Sequence, residues 1–422
     1  MSAKSKYFIL VFSAFIIFTG VQAQNNSYSP YSRFGIGDIA REGFGRNQGM
    51  GGIGYGLREA NHINYMNPAA AGVQDTMSFI FSTGVAGNTM QLRGSEGTHN
   101  VNNITLSHLA IGFPVSKWWK TNIGLVPYSQ MGYKIIDVDL AEQSEHYYEG
   151  SGGINQFFLG NAVRITDNLS AGVNISYMFG ALNQSRELIF PESDRTFSVR
   201  SKSRAIVGDL HFRYGMQYST RILEDYRFTL GMIYENKTPL KTDQDWLIIN
   251  ELTTAAGQAR DTVHNYVAAA SHIELPARYG AGFTFGRDNK FLVGADYSIH
   301  QWAETSFLDQ QQDSLANSAS FNIGAQYTPD YTDFRSIWRR VHYRLGFHYT
   351  DTYLKLRGHQ LKDYGITIGM GIPYGNTRST FNFSVDIGRR GTRDFNLIQE
   401  NYIMFNISLS LYDFWFHQRR YE

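Results

Sequence analysis

The chain has 422 residues and a nearly balanced charge, 38 Lys and Arg against 37 Asp and Glu, which gives nucleic acid no electrostatic reason to bind. It contains no cysteine, which excludes a disulfide framework, a thiolate metal site and lipoprotein acylation. Aromatic residues at 15% and 41 glycines against 9 prolines suit pleated surfaces and tight turns better than helices.

Residues 1–23 have the pattern of an export signal: Lys4 and Lys6, an apolar run from Tyr7 to Thr19, then Val21-Gln22-Ala23 as a small-residue cleavage site. Residues 24–75 form a segment without alternation, rich in glycine (Gly35, Gly37, Gly43, Gly45, Gly49, Gly51, Gly52) and ending in Asn67-Pro68-Ala69. Its Tyr28, Tyr31, Phe34, Ile36, Phe44, Ile53, Tyr55 and Tyr65 are too many apolar rings and branches for a disordered tail. They call for packing, and the interior of a barrel is the nearest place to bury them.

From residue 76 to 422 the pattern has period two. At Leu169-Ala171-Val173-Ile175-Tyr177-Phe179 the intervening residues are Ser170, Gly172, Asn174, Ser176 and Met178. Tyr279-Ala281-Phe283-Phe285, Phe291-Val293-Ala295-Tyr297-Ile299, Ile366-Ile368-Met370-Ile372, Phe381-Phe383-Val385-Ile387 and Ile403-Phe405-Ile407-Leu409-Leu411 repeat it. Many runs are long enough for a tilted strand to cross a bilayer, and a modest mean hydropathy of -0.32 is what a wall apolar only at alternate positions requires. The fold class expected is all-β: a transmembrane antiparallel barrel of about fourteen strands. The expected spans are 77–92, 101–115, 119–137, 148–165, 168–180, 205–221, 226–237, 273–286, 290–303, 318–328, 341–351, 360–373, 378–388 and 401–416. The run at 101–115, with His108 between Leu106 and Ala110, alternates poorly. Short periplasmic turns should follow the even-numbered strands and longer external loops, including 181–204, 238–272 and 389–400, the odd-numbered ones. The segment 329–340 breaks that rule and allows a miscounted hairpin there. The chain closes on Tyr412-Asp413-Phe414-Trp415-Phe416, an interfacial aromatic girdle, and a polar tail.

Three motifs carry a family resemblance. Gly49-Met50-Gly51-Gly52 followed by Asn67-Pro68-Ala69 resembles the plug of the FadL-type outer-membrane transporters. Thr121-Asn122-Ile123-Gly124-Leu125-Val126-Pro127-Tyr128-Ser129 is similar to that family's third strand with its internal proline, and Leu275-Pro276-Ala277-Arg278-Tyr279 to the start of a later one. The aromatic-rich style resembles barrels of the Bacteroidetes lineage. The resemblance implies a channel for long-chain fatty acids or aromatic hydrocarbons in a Gram-negative outer membrane, with a plug in the lumen and a lateral gate where the third strand kinks. Glu59-Ala60-Asn61-His62 stands where the family commonly has Asp-Ala-Ser-Thr, so the ligand need not be the same.

The chemistry of a catalyst is not found. Gly49 to Gly54 lacks the Lys-Ser/Thr pair of a phosphate loop, there is no Gly-x-Ser-x-Gly, and no His or carboxylate pair has zinc spacing. No metal, no cofactor and no nucleic acid is expected. His211, Asp296, His300, His348 and Asp386 fall on lumen-facing positions and are read as lining. Gly49, Gly51, Gly52, Asn67 and Pro68 are read as plug motif, although Asn67-Pro68 alone would also serve as a turn into the first strand. Pro127 lacks a ladder donor; with Gly124 and Gly132 it marks either a lateral gate or a harmless bulge. Asn61, His62 and Asn64 are the plug residues expected to satisfy that gap. Two functions follow. One is uptake of hydrophobic small molecules through lipid and lumen; the other is a structural subunit of a larger outer-membrane secretion or barrel-assembly complex, with other outer-membrane proteins as partners.

Overall fold

In the last strand Ile403, Phe405, Ile407 and Leu411 are 38–46% exposed, whereas Asn406, Ser408 and Ser410 are 4–5% exposed. A soluble sandwich would show the reverse, so the apolar parity faces lipid and the polar parity faces inward. The same inversion holds where Ile387 is exposed and Asn382, Ser384 and Asp386 are buried. This parity is carried around a closed antiparallel barrel of fourteen strands, seen in a computed structural model. The structure describes residues 29–414 apart from 96, 140, 142, 191–197, 224, 255–256, 268–270, 334 and 375–377. The expected signal segment and the tail beyond Phe414 lie outside the described residues.

The strands are β1 (Ser78–Gly94), β2 (Gly97–Pro114), β3 (Trp119–Asp139), β4 (Ser144–Arg164), β5 (Leu169–Ile189) and β6 (Ser198–Ile222). β7 runs in two sections, Tyr226–Glu235 and Thr238–Thr254, and β8 in three, Gly257–Val267, Ser271–Leu275 and Arg278–Arg287. β9 (Phe291–His300), β10 (Ser318–Tyr327), β11 (His342–Leu356), β12 (His359–Pro373), β13 (Thr380–Arg390) and β14 (Gln399–Phe414) complete the wall. β14 returns to β1 from Ser78↔Phe414 to Arg93↔Gln399, which closes the barrel. Leu275 and Arg278 border the break at Pro276 and Ala277, where the proline cannot donate to the ladder.

The expected strands are all present, but of the three expected loops only 389–400 is largely a connection, at 391–398. The rim where β1 begins and β14 ends has short connections at 115–118, 165–168, 223–225 and 288–290. At the far rim most of 181–204 and 238–272 continues as strand: β5 reaches Ile189, β6 starts at Ser198, and β7 and β8 meet between Thr254 and Gly257. Alternation fades there because these residues have left the bilayer, yet backbone pairing does not depend on apolar side chains. The hairpins joining β1 to β2 and β11 to β12 are equally tight. The far rim thus differs by longer strands and by two longer connections, 301–317 and 391–398.

Two irregular regions have local causes. Val85 pairs with Leu106 and Gly84 with His108, so Ser107 is bulged out of register. That extra residue turns Leu106 outward and His108 inward, which explains the poor alternation there. The segment 329–340 hides no missing hairpin. Asp330 N–H donates to the Arg339 carbonyl at 2.7 Å, Asp333 accepts from Arg335 N–H at 2.7 Å and from Arg339 at 2.8 Å, and a helical turn Ile337–Arg340 leads into β11.

Candidate functional site

The segment from Ser29 to the start of β1 occupies the lumen. Its Tyr31 and Ile36 pack with Met131, Ile154, Leu240, Ile273 and Tyr353 in an apolar core toward the far rim. Phe44, Tyr55 and Tyr65 pack with Ala110, Val126, Phe158 and Ile233 in a second. Burial of these rings supplies the apolar driving force for seating the segment.

The glycine run lets backbone press on backbone. Gly51 has φ +68°, and a Cβ there would lie 2.6 Å from the Ile323 carbonyl oxygen and 2.7 Å from that of Phe347. Its N–H donates to Thr367 Oγ1 at 2.8 Å, and Gly49 rests on the Cα of Gly369. Gly52, φ +83°, donates its N–H to the Asn47 carbonyl at 2.9 Å. Asn67 is fully buried: Oδ1 accepts from Ala69 N–H at 3.1 Å, and Nδ2 donates to the Tyr55 carbonyl at 2.9 Å and the Met216 carbonyl at 3.3 Å. It thus caps the 3₁₀ helix Pro68–Val73, with Pro68 at the first position, where its missing N–H has no consequence.

Charge holds the segment to β6, β7 and β8. Arg213, Glu235 and Arg278 are cross-strand neighbours, a single inward rung over three strands. Glu42 enters between the arginines, 2.5 Å from Arg213 Nη2 and 2.7 Å from Arg278 Nη2. Glu235 lies 2.5 Å from Arg213 Nε and 3.1 Å from His211 Nε2, and Arg278 also donates to the Tyr55 hydroxyl. Burial works against the Glu42 carboxylate, but the two guanidiniums outweigh it and hold it at about 2. One strand on, Asp296 Oδ2 accepts from Gly54 N–H at 2.6 Å and Tyr55 N–H at 2.9 Å.

A second group lies opposite. Arg41 pairs with Asp386 and with Asp363 at 3.1 Å, and its Nη1 is 3.0 Å from His348 Nε2, itself 3.2 Å from Asp386. Arg390 of β13 binds Asp38 at 3.0 Å and Glu400 at 2.5 Å. His300 lines the cavity of about 200 Å³ between these groups. Of the residues expected to line the lumen, His211, Asp296, His348 and Asp386 each hold an ion pair or hydrogen bond to buried groups of the wall or the segment. Parity also carried a signal that was passed over: Arg213, Glu235 and Arg278 alternate with Tyr214, Tyr234 and Tyr279 and so had to point inward.

The seam between β2 and β3 is incomplete. β2 and β3 pair only from Leu109↔Leu125 to Pro114↔Lys120, whereas β3 and β4 pair along their whole length. Pro127 sits at the divergence, and the register with β4 jumps between Pro127↔Asn155 and Ser129↔Ile154, a bulge at Tyr128. Gly124, just before it, leaves room for the ring of Phe158. The open edge of β3 is covered from inside. Asp38 and Ile39 pair with Gln130 and Ser129, and Ala40 N–H donates to the Tyr128 carbonyl at 2.9 Å. Gly132 donates its N–H to Ser32 Oγ at 3.1 Å and accepts from that hydroxyl at 3.0 Å. Asn61, His62 and Asn64 are elsewhere: Asn61 bonds the Arg378 carbonyl and His62 is near Thr380, both at the rim where β1 begins and β14 ends, and Asn64 bonds Gly54 and Leu57 within the segment. A cavity of about 200 Å³ opens beside the seam, lined by Asn88, Asn103, Pro127, Gln130 and Arg41.

Among the described residues no group of three His, Asp or Glu is arranged to hold a metal ion. A family model described as BamG matches residues 5–422. No curated protein matches the chain. Among solved structures, the Ralstonia pickettii toluene transporter TbuX is similar with a TM-score of 0.61 and 13% identity over 89% of this chain and 99% of that one. A Pseudomonas aeruginosa FadL homologue gives 0.58 and 12% over 90% and 100%, and the CymD monoaromatic hydrocarbon channel 0.55 and 16% over 90% and 98%. At such identities the likeness is one of fold, and it is the FadL-type barrel.

Proposed function

The chain belongs to the BamG family, and from that membership and the state of its lumen we propose that it serves as a structural subunit of a larger outer-membrane secretion or barrel-assembly complex. The observation that carries this reading is that the N-terminal segment is bonded to both sides of the barrel at once. Glu42 is locked into the Arg213–Glu235–Arg278 rung, and Ser32 and Asp38–Ala40 complete the edge of β3. A passage for apolar ligands wants a continuous apolar lining. Here buried ion pairs cross the lumen, and opening it would strand charges in a low dielectric. In this reading the short-turn rim faces the periplasm, after removal of residues 1–23, and the paired strands above the bilayer offer partners a rigid surface.

The second reading is an uptake channel for fatty-acid-like or aromatic molecules. The incomplete β2–β3 seam beside Pro127 and its adjoining cavity favour it, as does a fold shared with barrels described as toluene and monoaromatic hydrocarbon channels. Extraction in mild detergent separates the two. A stoichiometric outer-membrane partner that co-purifies with the native barrel is expected. A barrel that purifies alone and carries toluene or oleate into proteoliposomes would replace the first reading by the second.

A further inference from the structure

The rim where β1 begins and β14 ends encloses a polar cavity of about 410 Å³, larger than either cavity near the seam. Seven arginines and lysines line it against two acids, Glu59 and Asp288. Most of these cations are matched locally: Arg46 by Glu59, Arg227 by Asp288, Arg287 by Asp225 and Arg378 by Asp75. Arg58 and Arg344 have no carboxylate partner among the described residues, and both are buried, at 5% and 3% exposure. Arg58 Nη1 reaches only the Asn168 and Gln217 carbonyls at 3.4 Å and Ser170 Oγ at 3.1 Å, and its Nη2 has no hydrogen-bond partner. Burial, with Arg164 and Arg227 nearby, pushes the Arg58 guanidinium down to about 10. Arg344 bonds two neutral amides, Gln326 at 2.9 Å and Asn382 at 2.8 Å. Lys290 donates to the Pro329 carbonyl at 2.7 Å.

Buried guanidiniums without counter-charge are a liability to a fold unless something anionic completes them. We propose that this mouth is the docking site for an acidic, extended polypeptide segment of a periplasmic partner. The placement of the two arginines selects that ligand. Arg58 lies against β5 and β6, whereas Arg344 stands on β11 and reaches Gln326 of β10 and Asn382 of β13, across the mouth. A single phosphate would meet one of them; a chain with several spaced carboxylates meets both and Lys290 as well. The inference deepens the subunit reading and rests on it, naming the chemistry of one partner contact.

The test uses the purified full-length barrel in detergent and a labelled hexapeptide of alternating glycine and glutamate, followed by fluorescence anisotropy at low salt. Binding is expected, with Arg58→Gln and Arg344→Gln each weakening it by about tenfold, as for a charge pair that has lost one partner. Gln326→Glu keeps the shape of the site and gives Arg344 a carboxylate of its own. It should weaken the peptide similarly while the heat-modifiable mobility of the folded barrel is retained. Unchanged affinity in Gln326→Glu would overturn the proposal, and so would displacement of the peptide by an equal concentration of pyrophosphate, which would assign the mouth to a small oxyanion. A partner that still co-purifies with the Arg58→Gln/Arg344→Gln barrel would remove the mouth as its docking site while leaving the subunit reading in place.

Discussion

The N-terminal segment is held to the barrel in two unlike ways, and the difference separates what is specific to this chain from what any backbone would do. On the β6–β8 side the contact is made by side chains, with Glu42 between Arg213 and Arg278. On the β3 side it is made almost entirely by main chain, with Asp38 and Ile39 paired to Gln130 and Ser129. The first attachment depends on charge and is sensitive to pH. The second depends on a strand edge left free because β2 joins β3 only from Leu109 onward, and almost any extended segment delivered there would pair with it. The segment is thus part of the wall at one side and a charged bolt at the other.

Breaking the bolt is expected to have the largest effect. Glu42→Ala leaves two buried guanidiniums sharing Glu235, a loss of about 3–5 kcal/mol by analogy with other broken buried pairs. Thermal melting in detergent and protease cleavage within residues 40–66 would measure it; a melting temperature unchanged from wild type would show that the rung does not hold the segment. The same pair predicts the acid behaviour. Because the Glu42 carboxyl is held at about 2, below its ordinary 4.5, its contribution is fully present above 4.5 and disappears as pH falls through 2. Wild-type stability should therefore fall more steeply than that of Glu42→Ala between those values.

The backbone attachment should yield less. Ser32→Ala removes the hydroxyl that serves both the N–H and the carbonyl of Gly132, which leaves buried groups unsatisfied at about 1–3 kcal/mol. Hydrogen exchange at residues 128–133 should quicken while the Glu42 rung stays intact. Exchange as slow as in wild type would mean that the β3 edge is protected by something other than the segment.

Pro127→Val is expected to have the smallest effect on stability and bears on the second reading. A residue with an N–H lets the strand pair without a bulge, which should raise the melting temperature slightly and lower any flux of hydrophobic ligand. If a folded Pro127→Val barrel carries such a ligand as fast as the parent, the seam is not a gate.

Much of this was legible before any coordinate was known, for a definite reason. Alternation has period two whatever the neighbours are, so the strands and their two faces could be read directly. The packing of Tyr31, Ile36, Phe44, Tyr55 and Tyr65 followed from the number of rings in a glycine-rich stretch. The hairpins at 181–204 and 238–272 were misread as loops because, once outside lipid, strands carry no hydropathy signal. The residues sent to the β3 edge were also the wrong ones. Asn61, His62 and Asn64 are suitably polar, but a main-chain contact selects for reach and direction, and no side-chain pattern marks Ser32 or Asp38–Ala40.

What the amino-acid sequence determined by itself, then, is the periodic part: strand number, the lipid-facing and lumen-facing parities, and a packed rather than trailing N-terminal segment. Tertiary structure alone decided which inward charges meet. Arg213, Glu235 and Arg278 form a rung through registers set by two different hairpins, and Glu42, 171 residues away from Arg213 in the chain, joins them. It alone decided, too, that β2 parts from β3 and that the segment fills the seam. Local pattern specifies which face a residue takes, but partners across a closed barrel are fixed by register and by the path of the chain inside it, and both are properties of the whole ring.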